Sequence, residues 1–244
     1  MRLAVLSDVH ANREALLAVQ DKLDELKPDS VCYLGDAVGY NPDPAYCLER
    51  IAAMAVVVVR GNHDKAVSSL ENLDWFNDVA REALLWTRQA LSPAALERLG
   101  AWPRGPLVYE GRLLLCHGSP MDEDLYISRP GDVQRSLRYL RERHRGVEVC
   151  LFGHTHVPVI IPEGGRPLRP GKRFQLERGR AYLINPGSVG QPRDGIPEAS
   201  FGLFDDEEMA YYHFRVPFAI QTVQRKIRAA GLPGVLADRL AQGW

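Results

Sequence analysis

Five times along this chain a short apolar run ends in a cluster of polar residues, and no other feature narrows the possible folds so far. Arg2–Leu6 is followed by Asp8-Val9-His10, Val31–Leu34 by Gly35-Asp36, and Ala55–Val59 by Gly61-Asn62-His63-Asp64. The run ending at Cys116 is followed by His117-Gly118, and the run ending at Phe152 by Gly153-His154-Thr155-His156. Short apolar runs bounded by turn residues read as buried strands, and in α/β sheets ligands bind just beyond the C-terminal ends of strands. The chain has 7 histidines, and His10, His63, His117, His154 and His156 all lie in these clusters. Gathering them with Asp8 and Asp36 would collect repelling carboxylates and buried polar groups that need partners. A mixed nitrogen and oxygen donor set of this size suits two divalent metal ions, Mn or Fe foremost, with Zn, Co and Ni also compatible.

The segments between the runs are helical in period. Ala15, Leu16, Val19, Leu23 and Leu26 form one face of a helix over Asn12–Leu26, and Asp43-Pro44 starts another that runs to about Ala53. The first 60 residues therefore read as βαβαβ, which implies a parallel sheet covered by helices. Residues 64–104 read as all-helical: Phe76, Ala80, Ala83, Thr87 and Leu91 keep helical spacing, and Ser92-Pro93 restarts a second helix. Strands resume at Leu107–Tyr109 and Arg112–Cys116 around a Glu110-Gly111 hairpin turn. A helix over Gly131–Arg143 and a strand over Val147–Phe152 follow. Short strands are expected at 157–161, 172–176, 180–184, 200–204 and 209–215, then helix over 217–240. The organisation expected is one α/β domain over 1–244 with a helical cap inserted at about 65–104.

Composition removes several classes. With 244 residues, 45% of them hydrophobic, the chain can bury a core without disulfides. A net charge of −1 supplies no global field for nucleic acid or an anionic membrane. Arg135, Arg138, Arg141 and Arg145 form a basic stripe that reads as a solvated helix face. The longest apolar run, Ile51–Val59, has nine residues, against about twenty for a membrane helix. The N-terminal run is too short for a signal-peptide core. Cys32, Cys47, Cys116 and Cys150 lie far apart, which reads as reduced, buried cysteines in a cytoplasmic protein.

The order D-x-H, G-D, G-N-H-D, H-G, G-H-x-H over residues 8 to 156 resembles the calcineurin-like metallophosphoesterase superfamily. Ser7–Asn12, Gly35–Tyr40, His117–Pro120 and Asn185–Arg193 look similar to the small bacterial and archaeal group related to diadenosine tetraphosphatases. The resemblance implies a central β-sandwich of two mixed sheets flanked by helices. It implies one metal held by Asp8, His10, Asp36 and His156, and another by Asp36, Asn62, His117 and His154, with Asp36 bridging. It makes His63 the catalytic histidine and implies phosphoester or phosphoanhydride hydrolysis by a metal-bridging hydroxide. Asp64 then either orients His63 or caps the following helix.

One departure matters. The segment Gly35–Asn41 lacks the Asp-Arg pair of the serine/threonine phosphatases, and of the symmetrically cleaving tetraphosphatases that resemble them. Phosphate contacts are therefore expected from Asn12, from a turn at Asn185–Ser188, and from Arg193 as a bidentate grip. Trp75, Phe76 and Trp86 either stack on a base or form the core of the cap. The expected partner is a small phosphorylated substrate, a dinucleotide polyphosphate such as diadenosine tetraphosphate; neither nucleic acid nor membrane is expected, and homo-oligomers stay open. The alternatives are a general phosphodiesterase or phosphatase, or a non-catalytic scaffold of the same fold, which the intact His63 and metal positions disfavour.

Overall fold

The computed structural model describes all 244 residues. Two mixed sheets face each other, and alternation along their strands decides what packs where. In the first sheet, β1 (Arg2–Leu6) runs parallel to β2 (Ser30–Tyr33), and β2 to β3 (Val57–Val58). On the other side of β1 lie β10 (Ala199–Asp205), β11 (Ala210–Val216) and β8 (Arg173–Gln175), all antiparallel to their neighbours. The second sheet has the order β4 (Leu107–Tyr109), β5 (Leu113–Leu115), β6 (Val149–Leu151), β9 (Tyr182–Asn185), β7 (Val159–Pro162), and its β5, β6 and β9 are parallel.

Successive side chains of a strand point to opposite faces. Leu3, Val5, Cys32 and Leu34 turn inward and pack with Leu113, Leu115, Val149, Leu151 and Ile184 of the second sheet. Ala4, Leu6 and Tyr33 turn outward beneath α1 (Arg13–Leu26) and α2 (Pro44–Met54). Leu114, Cys116, Cys150, Phe152 and Leu183 turn outward on the far side, beneath α6 (Pro130–Arg143). All four cysteines are buried and unpaired. No helix is long and apolar enough to cross a membrane.

Between β3 and β4 the chain is helical: α3 (Asn62–Ser69), a 3₁₀ turn at Leu73–Trp75, α4 (Asp78–Ala90) and α5 (Pro93–Gly100). Ser92 caps α5 by accepting from the Ala95 N–H, with Pro93 in the first turn. Glu110 (φ 50°) and Gly111 (φ 65°) turn the β4–β5 hairpin with both central residues left-handed.

Three boundaries differ from the sequence expectation. The third strand is paired only at Val57–Val58, because it is an edge strand whose start is solvated. Phe76 lies before α4, which Asn77 caps. The C-terminal helix is two, α7 (Ile220–Ala229) and α8 (Gly234–Gln242), because Gly231 is left-handed and Pro233 cannot continue a helix. Both pack on α4 through Val223, Ile227, Leu236 and Leu240.

Across β10 and β11, His213 lies 2.8 Å from the Ser200 hydroxyl, which donates to the Pro186 carbonyl and so supports the turn after β9. Burial, reinforced by the Arg215 charge, lowers the His213 pKa to about 4. The unfolded chain, with a histidine near pH 6.5, takes up this proton first as pH falls. Stability conferred by the neutral ring is complete above pH 6.5 and drains away down to about 4. We expect urea unfolding at pH 7 and pH 5 to show about 2 kcal/mol less acid sensitivity in His213→Gln than in the parent.

Candidate metal centre

The parallel strands of both sheets end at one edge of the sandwich, and their polar sequels converge there. Asp8 and His10 follow β1, Asp36 follows β2, and Asn62 and His63 open α3 after β3. His117 follows β5, and His154 and His156 follow β6. All are buried. Three overlapping groups bring ligand atoms within 4.8 Å of one another: Asp8, His10 and His156; His10, Asp36 and His63; Asp36, His117 and His154.

Four of the imidazoles are fixed in the tautomer that metal binding requires. Each ring offers one nitrogen to a backbone carbonyl: His10 Nδ1 to Val38 at 3.1 Å, His117 Nδ1 to Leu34 at 2.7 Å, His156 Nδ1 to Gln191 at 2.6 Å, and His154 Nε2 to Asp124 at 3.2 Å. A carbonyl only accepts, so that nitrogen carries a proton and the other is the one that can turn a lone pair to a metal; on His117, which faces Asp36, a bound cation would first have to displace a second proton. The freed Nε2 atoms of His10 and His156 lie 3.0 Å apart. His117 Nε2 lies 3.0 Å from Asn62 Oδ1 and 3.3 Å from Asp36 Oδ2. Asp36 Oδ2 also lies 3.6 Å from His10 Nε2, so one carboxylate oxygen faces both halves of the cluster. This donor set fits divalent cations: lone pairs and anionic oxygens converge, and the second nitrogens are already satisfied.

The local electrostatics agree. Burial alone would raise the Asp36 carboxyl pKa, but His117 and His63 hold it well below the ordinary range. Burial would depress His117, but Asp36 outweighs it and lifts the ring to about 10. At His63 and His154 burial wins over the pull of the same carboxylate, bringing His63 down to about 4 and His154 to about 3. The backbone is strained here: Asp8, His10, Asp36, His154 and His156 all have φ between 47° and 64°. Such conformations cost about 1–3 kcal/mol each in a non-glycine residue, and cross-strand bonds hold them, including Asp8 N–H to Gly35 at 2.9 Å and His10 N–H to Asp36 at 2.9 Å.

His63 stands apart from those four imidazoles. Its Nδ1 is buried without a hydrogen-bond partner, and its ring packs between Tyr40, His10 and Phe76. Asp64 does not orient it. The Asp64 carboxylate accepts from the backbone N–H groups of Asp36, Ala37 and Gly61 at 2.8–3.0 Å, so it caps α3 and ties down the loop that carries Asp36.

Two expected phosphate contacts are spent elsewhere. Asn12 caps α1 through Ala15 N–H and donates to the Gly190 carbonyl at 2.8 Å, with no exposed surface. Asn185 donates to Gly153 at 2.6 Å and to Thr155, and accepts from Gly187 N–H, so it braces the loop of His154. The turn from Asn185 to Ser188 has few N–H groups left for an anion: Pro186 has none, and the Gly187 N–H bonds to Asn185 Oδ1. Arg193 does reach the site: it lines a cavity of about 430 Å³ together with Asn62, His63 and His154. Trp75 and Phe76 line the same cavity, and Trp75 is 73% exposed. Trp86 does not; it packs among α4, α7 and α8. Tyr126, Arg239 and Trp244 complete the wall and were not expected. Only Tyr126 had a signal, since its loop runs on from the His117 motif.

Residues 1–209 match the calcineurin-like phosphoesterase superfamily domain. An uncharacterized protein of Methanocaldococcus jannaschii is 34% identical across 99% of this chain and 98% of its own. The phosphodiesterase YfcE of Escherichia coli is 25% identical across 86% of this chain and 90% of its own. A metallophosphoesterase structure from Sphaerobacter thermophilus shares 37% identity at a TM-score of 0.87, covering 100% of this chain and 99% of that one.

Two substitutions test the geometry. Asp36→Ala should strip metal from both halves of the cluster, so elemental analysis should find less than half the parent content. Gly39 is left-handed (φ 91°), and a Cβ there would lie 2.5 Å from His63 Nδ1. Gly39→Ala should therefore displace His63 and cut turnover by about 10²-fold while metal content holds.

Proposed function

Because the chain belongs to the calcineurin-like phosphoesterase superfamily, whose members are metal-dependent hydrolases of phosphoester bonds, we propose that it cleaves dinucleotide polyphosphates, with diadenosine tetraphosphate foremost. The observation that carries this reading is the cavity beside the histidine cluster. It is walled by the exposed aromatic faces of Trp75, Tyr126 and Trp244 and by the Arg193 guanidinium. A simple phosphate ester needs no such faces; a nucleobase does.

In this reading Asp8, His10, Asp36 and His156 hold one divalent ion, and Asp36, Asn62, His117 and His154 hold a second. Such a pair, when bound, acidifies water near neutral pH and polarises phosphoryl oxygens. His63 meets the departing oxygen: its ring lines the cavity, and burial keeps it neutral, so its N–H is available as a donor. Phe76, edge-on to that ring at 5.1 Å, and Tyr40 hold its plane. Asp64 and Asn185 act at one remove, by fixing the loops of Asp36 and His154. Residues 65–104 serve as a cap that contributes Trp75, Phe76 and Asn77 to the wall and limits substrate size. A second reading, a phosphodiesterase acting on simple diesters, is favoured by the likeness to YfcE.

His63→Ala should retain its metal and lose about 10²–10⁴-fold in turnover on a substrate with a poor leaving group. The loss should shrink when p-nitrophenolate leaves, since that oxygen needs little help. Equal losses would assign His63 to phosphoryl binding. Chromatography of diadenosine tetraphosphate digests with Mn²⁺ should show ATP and AMP. That asymmetric outcome is expected because the Asp-Arg pair of the symmetrically cleaving enzymes is missing after Asp36; two ADP would overturn it, and turnover no better than that of bis-p-nitrophenyl phosphate would favour the second reading.

A further inference from the structure

Arg193 and Arg239 approach the cavity from different parts of the chain, and neither is paired with a carboxylate. Arg193 has only neutral partners: it donates to Gln191 Oε1 at 2.9 Å and to the Tyr40 hydroxyl at 3.4 Å, and its guanidinium lies 5.8 Å over the Tyr40 ring. Arg239 makes no side-chain hydrogen bond, and its Nε is buried without a partner. Burial and then the like charge of Arg193 lower the Arg239 pKa, which marks two cations facing one space. Other partly buried arginines are satisfied, by carboxylates at Arg60 (Glu123), Arg141 (Glu163) and Arg215 (Asp194), and by the Val67 and Ser68 carbonyls at Arg88. The one carboxylate on the cavity wall, Asp124, is already held by Lys65. Two unpaired guanidiniums beside each other cost free energy unless an anion sits between them.

The chain brings them together deliberately. The Gly195 N–H donates to the Gly243 carbonyl at 2.9 Å, so the end of α8 is fastened to the loop that carries Arg193. Leu236, Ala237 and Leu240 seat α8 on α4 and α7.

We propose that Arg193 and Arg239 form a second anion subsite, which takes the phosphoryl group next to the one being cleaved. This rests on the polyphosphate reading above and deepens it: the ligand class is a phosphoanhydride chain with at least two phosphoryl groups. Paired guanidiniums match the planar, multidentate geometry of phosphoryl oxygens. A monophosphate diester has no group to place there. Arg239 lies outside residues 1–209, so discrimination is added to the matched domain by a C-terminal helix pair.

The test is calorimetric titration of the full-length, Mn²⁺-loaded protein with inorganic tripolyphosphate, with orthophosphate as the single-phosphoryl control. The parent should prefer tripolyphosphate, and Arg239→Gln should lower that preference by about tenfold or more; Arg239→Lys should keep part of it. Arg239 makes no side-chain hydrogen bond in the fold, and losing its charge relieves the repulsion from Arg193, so Arg239→Gln is expected to unfold at or above the parent temperature, which a thermal melt checks. An unchanged preference in Arg239→Gln overturns the subsite. The titration does not need turnover. If dinucleotide polyphosphates are not cleaved but the preference still falls, the subsite stands and the substrate reading fails. If they are cleaved with equal kcat/KM by parent and Arg239→Gln, the subsite fails and the substrate reading stands.

Discussion

The Asp64 carboxylate, bonded to the backbone N–H groups of Asp36, Ala37 and Gly61, is the contact on which the site depends. It joins the loop after β2 to the start of α3. Asp36 returns the bond, since its Oδ1 accepts the His63 N–H at 2.8 Å. Each carboxylate thus holds the other's loop, and Asp36 Oδ2 is left free to face His10 and His117. The approach is so close that a Cβ on Gly61 would lie 2.1 Å from Asp36 Oδ1. Burying two carboxylates side by side is costly: against burial, imidazoles hold the Asp36 carboxyl low, while burial and the Asp36 charge raise Asp64 to about 7 against the pull of its backbone donors.

A second lock joins the two sheets. The Asp8 carboxylate accepts the His154 N–H at 3.2 Å, and the Ser188 hydroxyl donates to the Asp8 carbonyl at 2.7 Å. Residues from β1, β6 and β9 are thereby fixed to one another at the strand ends. This explains how five left-handed residues can persist in one small region: each is held by hydrogen bonds to a segment remote in sequence, so relaxing one would break contacts to several. The stiffness serves the chemistry, because ligands held in place need no reorganisation when a charged substrate arrives.

The fold was legible because apolar runs with polar sequels report strands and their C-terminal ends, and α1, α2 and the β4–β5 hairpin carry strong local signals. The clustering of Asp8, His10, Asp36, His117, His154 and His156 was legible for the same reason. Side-chain accounting was not. Asn12 and Asn185 sit at suggestive positions, but their hydrogen-bonding capacity is consumed by Gly190, Ala15, Gly153 and Gly187, all remote or ambiguous in sequence. Asp64 follows His63 directly, and only the folded loop shows that it serves Asp36 instead. Trp75 and Trp86 look alike in a helical pattern, and only the docking of α7 and α8 separates the exposed indole from the packed one. Arg239 carried no motif at all; its importance lies in what it lacks, a carboxylate partner.

That last point bears on how charge should be read. A net charge of −1 argues correctly against a global field. It says nothing about a site, because charge acts through pairing. Most half-buried arginines here are cancelled by carboxylates within 4 Å and contribute little potential at a distance. Two that are not cancelled, set in a cavity with low-dielectric aromatic walls, exert a field far larger than their share of the composition. The cavity lining therefore includes candidate metal ligands, two unneutralised guanidiniums and exposed aromatic side chains. An anion long enough to reach from the ligands to the guanidiniums is what such an arrangement stabilises. In the proposed reading, a single phosphoryl group held at the candidate metal ligands would leave the two guanidiniums as costly as they were before it bound.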